Sequence, residues 1–569
     1  SNTVPTGTIK GNFAVNIGNS DGNFKKEYKS QYTANLSRNS DWETTAGTLG
    51  TTVLNDDDYT DNSYGIFSSI NIDFATDTKT SKGIENGHQI DLYKNVRNSI
   101  GVLAGGDGDG DGNDVSIKLG KGKITLNGGF DNTGIIVGGT DTTSGAKSTD
   151  GKVTGDVVKI TGDNRNDRGN RAIFAGNSAN NEVTVNAVVS TDATNSITLV
   201  ADKGAKITVN DSVTGTTPTI ISAPTKAGVE ITGSEFHHDT TRVNSDLTSK
   251  DNVGAAYASG GGIININRTS STKPTSIANI SIKGGTDQQS KKKVGFGLFA
   301  DGSNSKINAQ YNWIKVEDGS TNIASLNKAE IDLKGATVEY KGEGYALYTD
   351  STSKTSGAID MTSGKLILSG KAVGYVRDLN SPNTLTFSNT DLEINSDDVI
   401  VSDLRKTGGT VTVDVENNPS NRLRDQLLGT GLNPVTSATG ATRYKYAVVD
   451  NAQINIKSAV DKASSITDSD SEVFAKRFLY QNSKIDVTAA GSVKAELDDT
   501  QMKAIDVNLK TPVGLAVTAS AQTKNNDTTG INNSGTVSAD RTVGSDRGGI
   551  GLYVDSVSYT HLRAHETPE

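Results

Sequence analysis

Four places in the chain gather side chains that could do chemistry. The first is the run Gly105-Gly106-Asp107-Gly108-Asp109-Gly110-Asp111-Gly112-Asn113-Asp114. Asp107, Asp109 and Asp111 stand at alternate positions before a glycine. That is the opening half of a calcium loop, because alternate carboxylates can converge on one hard cation. The closing half is missing: Lys118 stands where a bidentate glutamate belongs, and no helix pattern flanks the run. It reads as an acidic loop, with weak calcium binding by the three aspartates as the sharper alternative; no other cofactor is expected. The second place is the pair Asp332 and Asp360, each following an isoleucine in a repeat. Stacked repeats would set the two carboxylates ~5 Å apart, close to the separation in retaining glycosidases. Asn308 and Thr386 hold the same place in the flanking repeats, and no arginine, lysine or aromatic platform is expected to converge there. The pair therefore reads as a solvated polar ladder. Beside it, Lys315 is expected to stack on Glu339, a surface pairing worth under ~1 kcal/mol. The third is His237-His238-Asp239, which lacks a second histidine or cysteine cluster at metal-ligand spacing and reads as a polar turn. The fourth, Lys291-Lys292-Lys293, reads as a solvated loop beside a turn. His88 is isolated, and neither a nucleophile elbow nor a phosphate loop is present. No catalytic residue is assigned, no metal site beyond the weak calcium candidate, and the chain is not expected to be an enzyme.

The elements that would position these groups are short strands at regular intervals between Ile331 and Val401. They start at Ile331, Val338 and Tyr345, then at Ile359, Leu366 and Val373, then at Leu385, Leu392 and Val399. Most read apolar–polar–apolar, as in Ile331-Asp332-Leu333 and Leu392-Glu393-Ile394, the period-two pattern of a strand with one buried face. Three short strands and three turns repeated again and again predict a right-handed parallel β-helix with coils of about 22–28 residues. A single coil cannot bury its apolar row; stacked coils form one continuous core. Ile307, Ile314 and Ile323 supply a preceding coil, and Val411-Thr412-Val413 is expected to open the one after Leu385. A second pattern recurs: Gly295-Phe296-Gly297-Leu298-Phe299-Ala300-Asp301-Gly302, Gly344-Tyr345-Ala346-Leu347-Tyr348-Thr349-Asp350-Ser351 and Gly549-Ile550-Gly551-Leu552-Tyr553-Val554-Asp555-Ser556. Weaker echoes are Tyr64-Gly65-Ile66-Phe67 and Arg171-Ala172-Ile173-Phe174-Ala175-Gly176. Small residues alternate with large ones before a turn, which lets the strand approach its neighbour closely while the aromatic fills an interior corner.

Composition supports a turn-rich β protein. Of 569 residues only 33% are hydrophobic and 5% aromatic, with 62 glycines. Such a content alone leans toward disorder; the periodic apolar rows decide against it. Net charge is −10 with a pI near 5.2, so phosphate backbones are repelled and nucleic acid is not an expected partner. There is no cysteine, which excludes thiol chemistry and a disulfide framework and suits a chain that crosses oxidising compartments unfolded. No run of 18 or more apolar residues exists, so no helical membrane span is expected. The absence of an initiator Met and of a signal peptide suits a piece cut from the interior of a longer protein.

Along the chain, residues 1–60 are polar and irregular, 61–418 carry the β-helix, 419–482 form a helix-containing excursion packed on the solenoid, and 483–556 resume the coils. The excursion rests on two helix-like runs, Pro419–Leu428 closed by Gly429 and Asp470–Asn482 with Val473, Phe474, Phe478 and Leu479 on one side. Residues 557–569 abandon the style of the rest. Val557-Ser558-Tyr559-Thr560-His561-Leu562-Arg563-Ala564-His565-Glu566-Thr567 resembles the translation of a transposase-type sequencing adapter, so the tail is expected to be non-native.

The cysteine-free Gly/Asn/Thr/Asp-rich solenoid, the repeated Gly-aromatic-small-Leu-aromatic turn and the excursion together resemble the passenger region of large Gram-negative type V autotransporter adhesins, over roughly residues 60–556. Members of that family carry an N-terminal export signal and a C-terminal outer-membrane β-barrel. The resemblance implies a cell-surface passenger, anchored in the outer membrane by such a barrel and otherwise without membrane contact. It implies an elongated monomer that presents loops to glycans or proteins of host cells or of other bacteria. Two other readings stay open: a β-helix enzyme cleaving polysaccharide, and a structural fibre such as a phage tail component.

Overall fold

A computed structural model of the chain describes residues 13–17, 60–61, 63–68, 72–73, 87–93, 96–97, 99–104, 115–129, 132–138, 151–161, 170–194, 197–210, 219–223, 253–268, 278–286, 293–377, 381, 383–396, 399–401, 404–415, 447–461, 478–481, 483–497, 513–519, 530–543, 546–547 and 550–556. Among them every regular element is a strand and nearly every pairing is parallel, the architecture of a parallel β-solenoid. The chain divides into two compact units, residues 1–339 with 348–360, and residues 340–347 with 361–569.

In the first unit the period-two pattern works as its chemistry requires. One residue column runs Ile72, Ile117, Val153, Val183, Ile207, Ile264, Ile307, Ile331, Ile359, each in register with the next. From Ile117 onward every member is buried. β-Branched side chains fit a pleated surface, and each buried Val or Ile contributes about 1.5–3 kcal/mol. A second column, Ile220, Ile280 and Ile314, lines the next side of the coil. The third side is a separate sheet holding the aromatic-rich motif and its two weaker echoes. Here Ile66, Val102, Ile135, Ile173, Leu199, Ala256, Leu298 and Ile323 lie in register. The strands Gly254–Ser259, Phe296–Asp301 and Thr321–Leu326 are buried at every position. That close fit explains the small residues of the motif. A Cβ on Gly101 would lie 2.5 Å from the carbonyl oxygen of Gly134, and one on Gly297 2.2 Å from Asn322 Oδ1.

Asparagine and serine satisfy the backbone where the coil turns. Ser63 N donates to Ser99 Oγ, Ser99 N to Asn132 Oδ1, and Asn132 N to Asn170 Oδ1, at 3.0, 3.0 and 3.2 Å. The Asn132 and Asn170 amides in turn donate to the carbonyls of Val96 and Gly128, at 2.8 and 2.7 Å. A later pair repeats the device: Asn279 Nδ2 donates to Asn312 Oδ1 at 2.8 Å and Asn312 Nδ2 to Ile266 O at 2.9 Å. Buried backbone groups away from a ladder need such partners, which gives the asparagine richness a structural use.

In the second unit the column Leu366, Leu392, Val411, Ile454, Ile485, Ile531 is in register throughout. Val411 therefore stacks on Leu392, not on Leu385 as its 26-residue spacing suggested. The chain turns early because the strand Arg405–Thr407 starts a different sheet, and Gly408-Gly409, both at φ 67°, reverse it at once. A second correction concerns the excursion. Phe478–Gln481, the end of the expected second helix, is a strand paired with Ala447–Asp450, and Ala447–Asp461 already contributes solenoid strands. The tertiary ladder overrides an ambiguous local pattern. Residues 416–446, with the whole of the first helix-like run, lie outside the described residues, as do 462–477, most of 1–60 and all of 557–569.

Candidate functional site

The strands Lys306–Asn308, Glu330–Asp332 and Ser356–Asp360 stack side by side in the first unit, and each of their ends gathers polar groups. At the C-terminal ends Asp332 and Asp360 are register neighbours, with Asn308 before them. Both carboxylates are engaged. Gln310 Nε2 donates to Asp332 Oδ2 at 2.7 Å and the Lys334 backbone N–H donates to Asp332 Oδ1 at 3.1 Å. Lys334 Nζ lies 3.7 Å from Asp360 Oδ2. The expectation that no lysine converges on the pair is thus corrected. Lys334 sits in the turn just past its strand, where the Leu333 N–H donates to Asp360 O at 2.7 Å and holds the chain across the coil gap.

An aromatic corner adjoins this pair and was not expected either. Tyr311 adopts φ 59°, its N–H donates to Lys334 O at 3.1 Å and its carbonyl accepts from Arg268 Nη1 at 3.3 Å. Its ring lies so close to Gly335 that a Cβ there would stand 2.4 Å from a ring carbon. Trp313 is half-buried and its Nε1–H donates to Glu339 Oε2 at 2.9 Å. Glu339 also meets Lys315 at 3.5 Å, the surface pair the sequence indicated. The signal for this corner was Tyr311-Asn312-Trp313 at a turn, two large aromatics flanking a buried asparagine.

The N-terminal ends of the same strands differ. Lys306 and Glu330 open two of them as register neighbours, and Lys328 and Lys354 stand in the turns before the second and third. Together they line an open cleft of about 520 Å³ that also takes in Ser303 and Asn304. Lys354 Nζ lies 2.5 Å from Glu330 Oε1. The cleft was missed because its lysines belong to three coils and two of them, Lys328 and Lys354, stand in turns, outside the period-two pattern of the strands.

Of the other sequence candidates, Asp107, Asp109, Asp111, His237, His238, Lys291 and Lys292 lie outside the described residues. His88 sits in the strand Gly87–Leu92, between Phe13 and Gly122. Lys293 belongs to a two-residue antiparallel pair with Thr286. Among the described residues no group of three or more His, Asp or Glu side chains gathers closely enough to hold a metal ion. Nor is any helix there long and apolar enough to cross a membrane. No protein-family model, no curated protein and no solved structure matches the chain.

Proposed function

We propose that this chain is a passenger fragment of a type V autotransporter adhesin, a non-catalytic solenoid held at the outer-membrane surface to attach bacteria to host cells or to one another. One observation supports the reading most. Lys306 and Glu330 are register neighbours 24 positions apart, whereas Lys206 and Ile263 are register neighbours 57 positions apart in the same sheet. The register holds whether 24 or 57 positions separate the neighbours, and a scaffold that tolerates segments of different length between its coils is suited to presenting them.

The test is attachment. The purified chain, coated on beads, is expected to adhere to epithelial cells or to other bacteria, and soluble chain is expected to compete. Beads that bind neither surface would sink the proposal. The register pair Asp332–Asp360 keeps a polysaccharide-cleaving enzyme in view. Release of reducing ends from a polysaccharide panel by wild type, lost in Asp332→Ala/Asp360→Ala, would favour the enzyme. A trimer by light scattering would favour the fibre, since the passenger is expected to be monomeric.

A further inference from the structure

We infer that the lysine cleft of the first unit is a binding site for an acidic saccharide, one bearing carboxylate or sulfate groups. The inference rests on the adhesin reading and names the class of ligand that one face would take.

Charge comes first. Three ammonium groups, from Lys306, Lys328 and Lys354, line the cleft with one carboxylate, Glu330. Glu330 is taken up by Lys354 at 2.5 Å. Among the described residues Lys306 and Lys328 have no carboxylate within ion-pair distance. The cleft therefore carries a local positive surplus on a chain whose net charge is −10. Clefts lined by one sign of charge concentrate ligands of the other sign. Two lysines elsewhere on the outer faces are paired instead: Lys206 meets Glu182 at 3.6 Å and Lys315 meets Glu339 at 3.5 Å.

Shape and rigidity come second. The turns that carry the cleft are fixed by left-handed residues, Asn304 at φ 67°, Asn327 at 49° and Lys328 at 68°. Asn327 N donates to Thr352 Oγ1 and Lys328 N to Thr352 O, both at 3.0 Å, and Asn327 Nδ2 reaches Asp301 Oδ1 at 2.6 Å. Walls tied in this way lose little freedom on binding. The volume of about 520 Å³ falls within the range of small-molecule sites and suits one or two sugar rings. Exposed Ser303 and Asn304 on the rim offer partners for sugar hydroxyls.

The experiment immobilises the full chain and titrates three oligosaccharides of matched length: a sulfated one of heparin type, a carboxylated one of hyaluronate type and neutral dextran. Wild type is expected to bind a sulfated or a carboxylated ligand, or both, but not dextran, with affinity falling as salt rises. The first two ligands separate sulfate from carboxylate as the preferred group. Lys306→Ala/Lys328→Ala is expected to weaken binding at least tenfold and flatten the salt dependence, while Glu330→Gln tightens it severalfold by freeing Lys354. Circular dichroism checks that each variant keeps its β-sheet signal. Binding left unchanged by both variants overturns the cleft as the site. Attachment to cells without any affinity for acidic saccharides overturns this inference and leaves the adhesin reading standing, whereas failure of the chain to bind cells, bacteria or glycans overturns both.

Discussion

The two ends of the strands Lys306–Asn308, Glu330–Asp332 and Ser356–Asp360 share a core, a register and a solvent face, yet they treat charge in opposite ways. At the C-terminal ends each carboxylate meets a donor from its own coil stack, Gln310 and the Lys334 backbone for Asp332, the Lys334 ammonium for Asp360. At the N-terminal ends three ammonium groups line the cleft with one carboxylate, Glu330, which among the described residues Lys354 alone takes up. The lesson is that register at a spacing of ~4.8 Å does not by itself set the charge balance: turn residues cover the like-charged neighbours Asp332 and Asp360, whereas turn lysines outnumber the carboxylate of Glu330. The first result is structural bookkeeping of polar groups; the second leaves attraction for something outside the chain. Both ends depend on the core they share. Ile331 is 1% exposed and sits between Ile307 and Ile359. Ile331→Ala is expected to lower unfolding free energy by about 2–5 kcal/mol, the sum of lost burial and a residual cavity. Chemical denaturation should show this, with acidic-saccharide binding and local order lost together. A change below ~1 kcal/mol would mean that the strands are not held by this column.

An ammonium without an adjacent carboxylate also occurs in the second unit, but buried. Lys406 is 1% exposed, donates through Nζ to the carbonyl of Gly408 and has its pKa lowered to about 8 by burial, against a smaller opposing pull from Asp391. Its folded value lies below the unfolded one of about 10.4. The folded state therefore binds fewer protons between those values, and this group makes stability rise with pH across that window. Below pH 8 the full burial cost, at most about 3 kcal/mol, is present. Lys406→Met is expected to raise the denaturation midpoint at pH 7, with the gain shrinking between pH 8 and 10.5 and reversed above it, where Gly408 O has simply lost a donor. A destabilised variant at pH 7 would show that the Lys406 hydrogen bond outweighs its desolvation.

A third change touches the acidic end alone. Gly335 has φ 67° and lies against the Tyr311 ring, so Gly335→Ala places a Cβ both in a disfavoured backbone region and in contact with the ring. A loss of about 1–2 kcal/mol is expected from the backbone, with acidic-saccharide binding unchanged. Tryptophan fluorescence from neighbouring Trp313 should shift as Tyr311 gives way. Loss of saccharide affinity in this variant would show that the two ends are coupled and act as one site.

Where the sequence was legible, it was because one physical rule acted alone. Ile307, Ile331 and Ile359 announced their column through alternation and spacing, and the register confirms it. Lys315 and Glu339 followed from the same frame. Where it was not, a second rule competed. Val411 lands on Leu392 because Arg405-Lys406-Thr407, whose inward residue is a lysine, does not read as apolar–polar–apolar and hides a strand. Phe478-Leu479-Tyr480-Gln481 has adjacent apolar residues that fit a helix face as well as a strand, and only the pairing with Ala447–Asp450 decides. Gln310, Lys334, Lys328 and Lys354 escaped because they stand in turns, where side-chain direction depends on left-handed residues such as Tyr311 and Lys328 itself rather than on period.

The smallest expected effect is also the sharpest test of which end matters. Asp332 and Asp360 are half-exposed, and their contacts with Gln310 and Lys334 are of the kind worth under ~1 kcal/mol each. Asp332→Ala/Asp360→Ala should therefore shift stability by no more than about 1 kcal/mol and leave attachment to cells within twofold of wild type. Removing two negative charges a few residues from the cleft should slightly strengthen saccharide binding at low salt and not at all at high salt, because the interaction passes through screened solvent. An attachment defect larger than tenfold in a folded double variant would reverse the comparison. The paired end would then be the one that meets the partner, and the lysine surplus would be a consequence of stacking with no ligand of its own.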